Sequence, residues 1–253
     1  MLKSKSKPFN MNNLKEHWNT VYSKSSTSKH TWTQDVPRTT LSMLDSLKLS
    51  KDAEIIDVGG GDSSLVDNLL SLGYKNITVL DISEEALNIT KKRLGDNAHY
   101  IKWVVSDITE HRTDKKYDVW IDRAAFHFLK DENSISTYLN LVNTCVSENG
   151  YLLMAAFSDK GPTKCSGLEV KQYSKENLTS LFETNFNRER CVFEDHTTPS
   201  QMNQNFIYLL LKRRKLGLIP LHNNVADEHV TYQSTNALST EASCDINSNG
   251  CCC

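Results

Sequence analysis

The sequence predicts an α/β fold in which a mostly parallel sheet is covered by helices on both faces. Between about residues 54 and 157, short apolar segments alternate with segments of helical periodicity. The apolar segments are nearly continuous, as in Tyr151–Phe157, which is typical of parallel strands buried on both faces. After residue 170, one helical segment is followed by two strands separated by a short turn. We therefore expect a doubly wound sheet that closes with an antiparallel hairpin.

Two helices are predicted before the sheet. Apolar residues at helical spacing predict the first over about Leu14–Tyr22. Pro37 is placed to open a second helix that runs to Leu49, because proline is favoured at the first helical position. We expect residues 1–13 to be a flexible arm rich in Lys and Ser, and residues 14–50 to act as a lid or as a hydrophobic attachment of the arm to the domain.

The alternating region predicts five strands and three helices. The strands are Glu54–Val58, Ile77–Leu80, His99–Val105, Tyr117–Ile121 and Tyr151–Phe157. The helices between them cover about Ser64–Leu72, Ser83–Leu94 and Asn133–Val146. Ser83 is the expected N-cap of its helix, because its hydroxyl can accept a hydrogen bond from a first-turn N–H. Asn149-Gly150 predicts a turn before the fifth strand.

The last part of the predicted domain is a helix followed by the hairpin. The helix is expected over about Ser174–Thr184, with Ser174 as its cap. The hairpin strands are expected at Arg190–Asp195 and Asn205–Leu211. Residues 14–215 are therefore expected to form one domain.

The remaining residues, 216–253, are expected to be a disordered acidic tail. They contain four acids and no Lys or Arg, and they show little apolar periodicity. The chain ends in Cys251–Cys253, which predicts reactive thiols on an unstructured tail, with lipidation as the alternative.

Composition argues against several classes of function. The formal net charge of −2 gives no support to a nucleic-acid partner. No apolar run approaches the ~20 residues that a transmembrane helix needs, and no His, Cys or acid cluster has metal-ligand spacing. We expect a cytoplasmic protein. The basic segment Lys212–Lys215 gives a nuclear localisation as one alternative, and the Lys- and Ser-rich start gives a mitochondrial localisation as another.

A glycine turn after the first strand predicts a nucleoside site. Gly59, Gly60 and Gly61 follow the strand directly, and Asp81 ends the next strand. Glycines allow close approach of the backbone to a ligand, and an acid at the second strand end accepts hydrogen bonds from ribose hydroxyls.

Two residues favour S-adenosylmethionine over a dinucleotide as the ligand. Ser64 occupies the place of the third glycine of the dinucleotide pattern. Asp62 stands at the predicted helix start, where its carboxylate would repel a pyrophosphate. A sulfonium cofactor without phosphate suits the carboxylates that end successive strands, which are Asp57, Asp81, Asp107 and Asp122.

The ordered set of motifs resembles the class I, Rossmann-like S-adenosylmethionine-dependent methyltransferases. The motifs are Ile55-Ile-Asp-Val-Gly-Gly-Gly61, Val79-Leu-Asp-Ile-Ser83, Ser106-Asp-Ile108 and Tyr117-Asp-Val-Trp-Ile-Asp122. The resemblance covers about residues 37–212 and implies a seven-stranded sheet whose last strand inserts antiparallel. The segment Trp120–Ala125 is also similar to that of the thiopurine methyltransferase group, and short methyltransferase-like proteins have a similar build.

The resemblance implies roles for the residues around the cofactor. The three glycines would lie against its methionine portion and ribose, and Asp57 would hold the glycine loop or meet the amino end. Asp81 would bind the ribose hydroxyls, with Ile82 on the adenine. Asp107 would accept from the adenine amino group, with Ile108 against the ring.

The segment Asp122–His127 is expected near the transferred methyl group. Asp122 or His127 would serve as a base, although a lone histidine in an apolar stretch is also a common structural residue. Arg123 would bind an acidic substrate group or pair with Asp122. Trp32 and His196 are further substrate-side candidates.

We therefore predict a methyltransferase that methylates a small molecule by in-line displacement and uses no metal. A protein lysine is the alternative acceptor, and a cofactor-binding regulatory protein without catalysis is the alternative of another class. An open acidic groove would favour lysine, whereas a closed aromatic pocket would favour a small molecule.

Overall fold

The computed structural model describes residues 11–24, 30, 32–198, 201–215 and 227–233. Its strands are β1 Glu54–Val58, β2 Asn76–Asp81, β3 Ile101–Val105, β4 Tyr117–Arg123, β5 Val146–Phe157, β6 Lys164–Cys165, β7 Leu168–Glu169, β8 Phe186–Thr197, β9 Asn203–Arg213 and β10 Asp227–Gln233. Its helices are α1 Met11–Lys24, α2 Arg38–Ser46, α3 Leu65–Ser71, α4 Glu84–Leu94, α5 Glu132–Cys145 and α6 Lys175–Ser180, with 3₁₀ turns at Gly95–Tyr100 and Phe126–Phe128.

The central sheet has the strand order β10-β8-β9-β5-β4-β1-β2-β3. Strands β1 to β5 pair in parallel, and β9 runs antiparallel to both β5 and β8. The predicted fold class, a mostly parallel sheet closed by an antiparallel hairpin, is therefore confirmed. The small strands β6 and β7 form a separate two-stranded hairpin between β5 and α6.

Alternating side chains of the strands feed two hydrophobic cores, one on each face of the sheet. Along β4, Trp120 belongs to one core, whereas Val119 and Ile121 belong to the other. All three side chains are fully buried. Burial on both faces explains why the predicted strands read as continuous apolar runs.

The hairpin β8–β9 is longer than the sequence predicted, and β5 begins earlier. β8 pairs with β9 from Phe186 to Thr197, and the pairing carries a register shift near Arg188. The predicted turn at Asn149-Gly150 lies inside β5 instead, where the pairing with β4 is irregular between Tyr117 and Val119.

Within the described residues the sheet has eight strands rather than seven, because Asp227–Gln233 forms β10 on the edge of β8. This corrects the expectation that no element follows residue 215. Two ion pairs hold the strand, Lys175 Nζ with Asp227 Oδ2 at 2.7 Å and Arg190 Nε with Glu228 Oε1 at 2.7 Å. His229 Nε2 also lies 3.2 Å from Asp195 Oδ2. The rest of the tail, including Cys251–Cys253, lies outside the described residues, as do residues 1–10.

Within the described part of the chain, none of the helices has the length and apolar character that crossing a membrane requires.

Candidate active site

A cavity opens where the carboxyl-terminal ends of β1, β2 and β4 meet. Val58 at the end of β1 pairs with Leu80 of β2 on one side and with Asp122 of β4 on the other. The chain then turns at Gly59, whose N–H donates to the Leu80 carbonyl oxygen at 2.7 Å. This is the edge at which open α/β sheets bind ligands.

The glycines of the turn are required by the protein itself. Gly59 has φ of 67°, and a Cβ added there would lie 2.6 Å from the Ala125 Cβ. Gly61 has φ of 43°, and a Cβ there would lie 2.7 Å from the Tyr22 hydroxyl oxygen. Gly59 and Gly60 line the cavity, whereas Gly61 is buried beneath Tyr22, and its role in binding stays a prediction.

Asp81 and Asp107 line the cavity, as the motifs predicted, with Ile82 and Ile108 beside them. The Asp81 carboxylate accepts a hydrogen bond from the Ser83 N–H at 2.8 Å, and burial raises its pKa to about 7. Asp107 accepts from the N–H and the hydroxyl of Thr109, at 2.8 Å and 2.7 Å. Carboxylates and apolar side chains therefore alternate along this wall.

Asp57 lies under the glycine turn rather than on the cavity wall. A Cβ added at Gly60 would lie 2.8 Å from Asp57 Oδ2, so the carboxylate packs directly beneath the loop. Burial raises the pKa of Asp57 to about 7, and the Arg123 charge opposes this rise. Of the two predicted roles, support of the loop is the one that the geometry allows.

The N-terminal helix α1 covers the cavity as a lid. Its residues Leu14, Trp18 and Tyr22 line the cavity together with Trp32. The Trp18 ring centroid lies 6.0 Å from that of Trp32 and 5.2 Å from that of Phe128. The helix is also tied to the nucleoside side, because the Ser83 hydroxyl donates to Asn19 Oδ1 at 2.8 Å.

Asp62 holds the segment that follows the lid helix. His30 Nδ1 lies 2.8 Å from Asp62 Oδ2, and Trp32 Nε1 donates to Asp62 Oδ1 at 3.4 Å. The His30 and Trp32 rings stack with centroids 4.4 Å apart. The carboxylate that argued against a dinucleotide is therefore also the attachment point of the N-terminal segment, which the sequence did not predict.

The structure argues against Asp122 as a catalytic base. Its side chain is fully buried and does not line the cavity. Oδ1 accepts from the N–H groups of Ala125 and Phe126 at 2.9 Å and 3.1 Å, and Oδ2 accepts from the Tyr138 hydroxyl at 2.8 Å. Asp122 is therefore assigned a structural role, in which it fixes the turn that carries Arg123 to Phe128.

His127 lines the cavity but is not poised to accept a proton. Its Nδ1 accepts a hydrogen bond from the Phe157 N–H at 3.3 Å, so the lone pair of that nitrogen is already used. The ring is fully buried, and burial lowers its pKa to about 3. The geometry supports the structural interpretation of this histidine.

The hairpin β8–β9 forms the wall opposite the nucleoside side. His196, a predicted substrate contact, pairs in register with Gln204, and both line the cavity. Phe206 and Tyr208 continue the wall, and Cys165 of β6 lies on it as well. Sequence reasoning missed Gln204, Phe206 and Tyr208, although their spacing of two along a strand places them on one face.

Arg123 lines the cavity and pairs with neutral groups rather than with Asp122. Nη2 donates to the Ser63 hydroxyl oxygen, and Nη1 donates to Gln34 Oε1 at 3.3 Å. The Gln34 amide nitrogen in turn donates to Glu194 Oε1 at 2.7 Å. One chain of hydrogen bonds thus joins the glycine turn, β4, the N-terminal segment and β8.

Among the described residues, no group of three or more His, Cys, Asp or Glu side chains is arranged to hold a metal ion.

A family model described as a methyltransferase domain matches residues 55–150. This match and the fold confirm the resemblance to class I, Rossmann-like S-adenosylmethionine-dependent methyltransferases that the motifs predicted.

Two curated relatives and two solved structures illustrate what the chain is similar to. EEF1A lysine methyltransferase 2 of Danio rerio is 25% identical over 150 residues, which are 56% of this chain and 58% of that protein. Nodulation protein S of Rhizobium fredii is 24% identical over 85 residues, which are 34% of this chain and 48% of that protein. The chain therefore spans about half the length of these two relatives.

The solved structures share the fold at low identity. One is the 1,6-didemethyltoxoflavin-N1-methyltransferase of Burkholderia thailandensis with bound 1,6-didemethyltoxoflavin and S-adenosylhomocysteine, with a TM-score of 0.62, 13% identity, and coverage of 83% of this chain and 93% of that one. The other is the N-methyltransferase NodS of Bradyrhizobium japonicum in complex with S-adenosylhomocysteine, with a TM-score of 0.59, 13% identity, and coverage of 77% and 97%.

Proposed function

We propose that this protein transfers the methyl group of S-adenosylmethionine to a small-molecule acceptor by in-line displacement. The observation that carries the proposal is the continuity of the cavity. The cavity runs from the glycine turn and the acids Asp81 and Asp107 to an aromatic wall under the lid helix. This wall is formed by Phe128, Phe157, Phe206 and Tyr208. Relatives that are methyltransferases, two of them solved with S-adenosylhomocysteine, support it.

The residues present fit a nucleoside cofactor without phosphate. Asp81 would accept hydrogen bonds from the ribose hydroxyls and Asp107 from the adenine amino group, while Ile82 and Ile108 would pack against the ring. Among the described lining residues Arg123 is the only Lys or Arg, so a pyrophosphate would find one cation. When bound, S-adenosylmethionine supplies an electrophilic methyl group on a sulfonium.

The contribution of the protein to such a reaction is positioning and exclusion of water. An in-line displacement is accelerated by holding the reacting atoms aligned at short distance. The lid helix α1 and the aromatic side chains Phe128, Phe157, Phe206 and Tyr208 line the cavity around that point. The oxygens of Asp122 and Nδ1 of His127 already accept hydrogen bonds from the protein, so the proposal assigns neither residue as a base. The acceptor is then expected to present an available lone pair, as in a thiolate, a phenolate or a neutral amine.

A small molecule is favoured over a lysine side chain by the distribution of acids. The carboxylates on the described cavity wall are Asp62, Asp81 and Asp107. Asp62 is occupied by His30 and Trp32, and the other two lie on the nucleoside side. The acceptor side is instead walled by Phe128, Phe157, Phe206 and Tyr208. Similarity to a lysine methyltransferase keeps a protein acceptor as the second candidate.

Two measurements test the proposal. Calorimetric titration with S-adenosylhomocysteine is expected to show binding, and the absence of heat and of a thermal shift would overturn the whole assignment. Cell extract is then incubated with the protein and labelled S-adenosylmethionine, and protein and metabolite fractions are separated. Label in the metabolite fraction is expected. Label on protein would instead support the lysine alternative, and binding without turnover would support a regulatory protein.

A variant of the aromatic wall sharpens the second measurement. Phe206→Ala is expected to reduce turnover severalfold while the affinity for S-adenosylhomocysteine stays unchanged, because Phe206 lies on the acceptor wall. Phe193→Ala is the matched control, since Phe193 packs against the core on the other face of the same hairpin. An equal effect of both substitutions would contradict the acceptor-side assignment.

A further inference from the structure

Arg123 is the only Lys or Arg among the described residues that line the cavity, and it is fixed in place there. Its Nη1 and Nη2 donate to Gln34 and to Ser63. Its Nε is buried and has no hydrogen-bond partner among the described residues. A buried donor without a partner costs free energy, which a ligand can recover by accepting from it.

The charge of Arg123 is not neutralised within the described part of the chain. No salt bridge forms between Arg123 and a described carboxylate, and its two hydrogen-bond partners are neutral side chains. Glu194 lies on the far side of the Gln34 amide, which accepts from the guanidinium and donates to the carboxylate. A partly buried cation held by neutral partners favours an anion at its open side.

The position of the guanidinium limits the kind of anion. Ser63 follows Asp62 in the loop after the glycine turn, and the buried Asp57 is close enough for the Arg123 charge to lower its pKa against the effect of burial. The nearby Asp62 carboxylate opposes a doubly charged phosphate, whereas a single planar carboxylate fits the guanidinium fork.

We propose that Arg123 binds a carboxylate carried by a ligand of this cavity. The inference rests on the proposed function, which supplies two sources for that group. The amino-acid end of the cofactor is one, because Ser63 belongs to the loop that follows the glycine turn. An acidic group on the acceptor is the other, because Gln34 and Glu194 connect Arg123 to the hairpin wall. Gln34 is a positioning residue in either case, since it orients the guanidinium.

The first arm of the test compares two nucleosides. S-adenosylhomocysteine carries the carboxylate, whereas 5′-methylthioadenosine keeps the nucleoside and thioether and lacks the amino acid. If the cofactor is the source, Arg123→Gln weakens binding of S-adenosylhomocysteine by about tenfold or more and leaves 5′-methylthioadenosine unchanged, because a hydrogen bond to a charged group is worth that order. Arg123→Lys should restore part of the loss.

Arg93→Gln is the matched control. Arg93 donates to the backbone carbonyls of Asp62 and Ser63, so it braces the same loop, but it does not line the cavity. A loss of affinity that Arg93→Gln and Arg123→Gln share for both nucleosides would mark a structural effect on the loop and would overturn the carboxylate contact.

The second arm uses protein saturated with S-adenosylhomocysteine. Benzoate and uncharged benzyl alcohol are titrated as probes and followed by ligand-observed NMR. If the acceptor is the source, benzoate binds to the wild type and Arg123→Gln abolishes this binding. The binding of benzyl alcohol is then the same in both proteins. If Arg123→Gln changes the binding of neither S-adenosylhomocysteine nor benzoate, the inference is overturned. If the wild type binds neither nucleoside, the proposed function fails, and benzoate titration of the unsaturated protein alone decides the role of Arg123.

Discussion

At the residue scale, the surroundings of a carboxylate decide what it can do. Asp81 is the last residue of β2 and Asp122 the last but one of β4, and the two lie one residue apart in register across β1. Asp81 faces the cavity, whereas the oxygens of Asp122 accept two backbone N–H groups and a tyrosine hydroxyl. The same residue type at the same sheet edge thus offers a ligand contact in one case and a fixed turn in the other.

Asp81 is expected to make cofactor binding depend on pH. Burial raises its pKa to about 7 in the free protein, and ribose hydroxyls donate to the ionised form. Binding therefore favours loss of the proton, and the affinity for S-adenosylhomocysteine should rise about tenfold between pH 6 and pH 8. Calorimetric titration at pH 6, 7 and 8 measures this change in affinity.

Asp81→Asn is the informative variant for this prediction. It should bind about tenfold or more weakly at pH 8, because an amide accepts less strongly from the hydroxyls, and its affinity should be flat with pH. A wild-type affinity that does not change over this range would contradict the assignment of Asp81 to the ribose.

Much of the cavity wall was predictable, but its hydrogen bonding was not. Asp81, Asp107 and Arg123 follow strands, so the topology of a parallel sheet brings them to one edge. Asp122 accepts from backbone N–H groups at the start of a 3₁₀ turn and from the Tyr138 hydroxyl, and His127 accepts from a backbone N–H of β5. Those contacts depend on side-chain direction and on three-dimensional packing, which sequence spacing does not specify.

At the scale of elements, the attachment of the N-terminal segment to the glycine loop is the feature to test. Asp62→Asn weakens the contacts from His30 and Trp32, so the lid should open more often. We expect faster amide hydrogen exchange in α1 and faster dissociation of S-adenosylhomocysteine. Hydrogen-exchange mass spectrometry and stopped-flow displacement measure the two effects.

Asp67→Asn is the control for that experiment. Asp67 lies in the first turn of α3 and pairs with Arg93, so it is an acid near the same loop that does not touch the N-terminal segment. Unchanged exchange in α1 for Asp62→Asn, or an equal increase for both variants, would show that Asp62 does not hold the lid.

The strands differ in how well their sequence predicts them. β1 to β5 carry apolar side chains into two cores, and this produces the runs that predict them. β10 packs the partly buried Val230 against the core, and it is otherwise held by backbone pairing with β8 and by charged side chains that meet residues of α6 and β8. In sequence, a strand with such charged residues cannot be told from a solvated tail, because the oppositely charged partners are brought near only by the fold.

At the scale of the whole molecule, buried acids are expected to make stability fall with rising pH. Burial raises the pKa of Asp57 and Asp81 to about 7 and of Asp122 to about 6. Between their unfolded values near pH 4 and these values, the folded state binds more protons than the unfolded one, so each opposes folding as pH increases. His127 acts the other way, because its pKa is lowered to about 3.

The free energy of unfolding of the ligand-free protein should therefore decrease from pH 5 to pH 7, since three carboxyls outweigh the histidine. Urea denaturation across this range measures it. Asp57→Asn removes one of the three groups and should make the decrease shallower by up to about 1.4 kcal/mol per pH unit. A wild-type stability that rises over the same range would contradict the burial of these acids.

The register of β10 has a consequence for attaching probes to this molecule. Gln233 pairs with Thr197, next to the cavity residue His196, so the chain leaves the sheet at the ligand-binding edge. Residues 234–253 can reach at most about 70 Å from that point. Cys145 at the end of α5 and Cys191 of β8 are buried, and Cys165 is partly covered. The other four cysteines, Cys244 and Cys251–Cys253, follow Gln233 in the chain, so a dye coupled to any of them is joined covalently to the sheet at this edge.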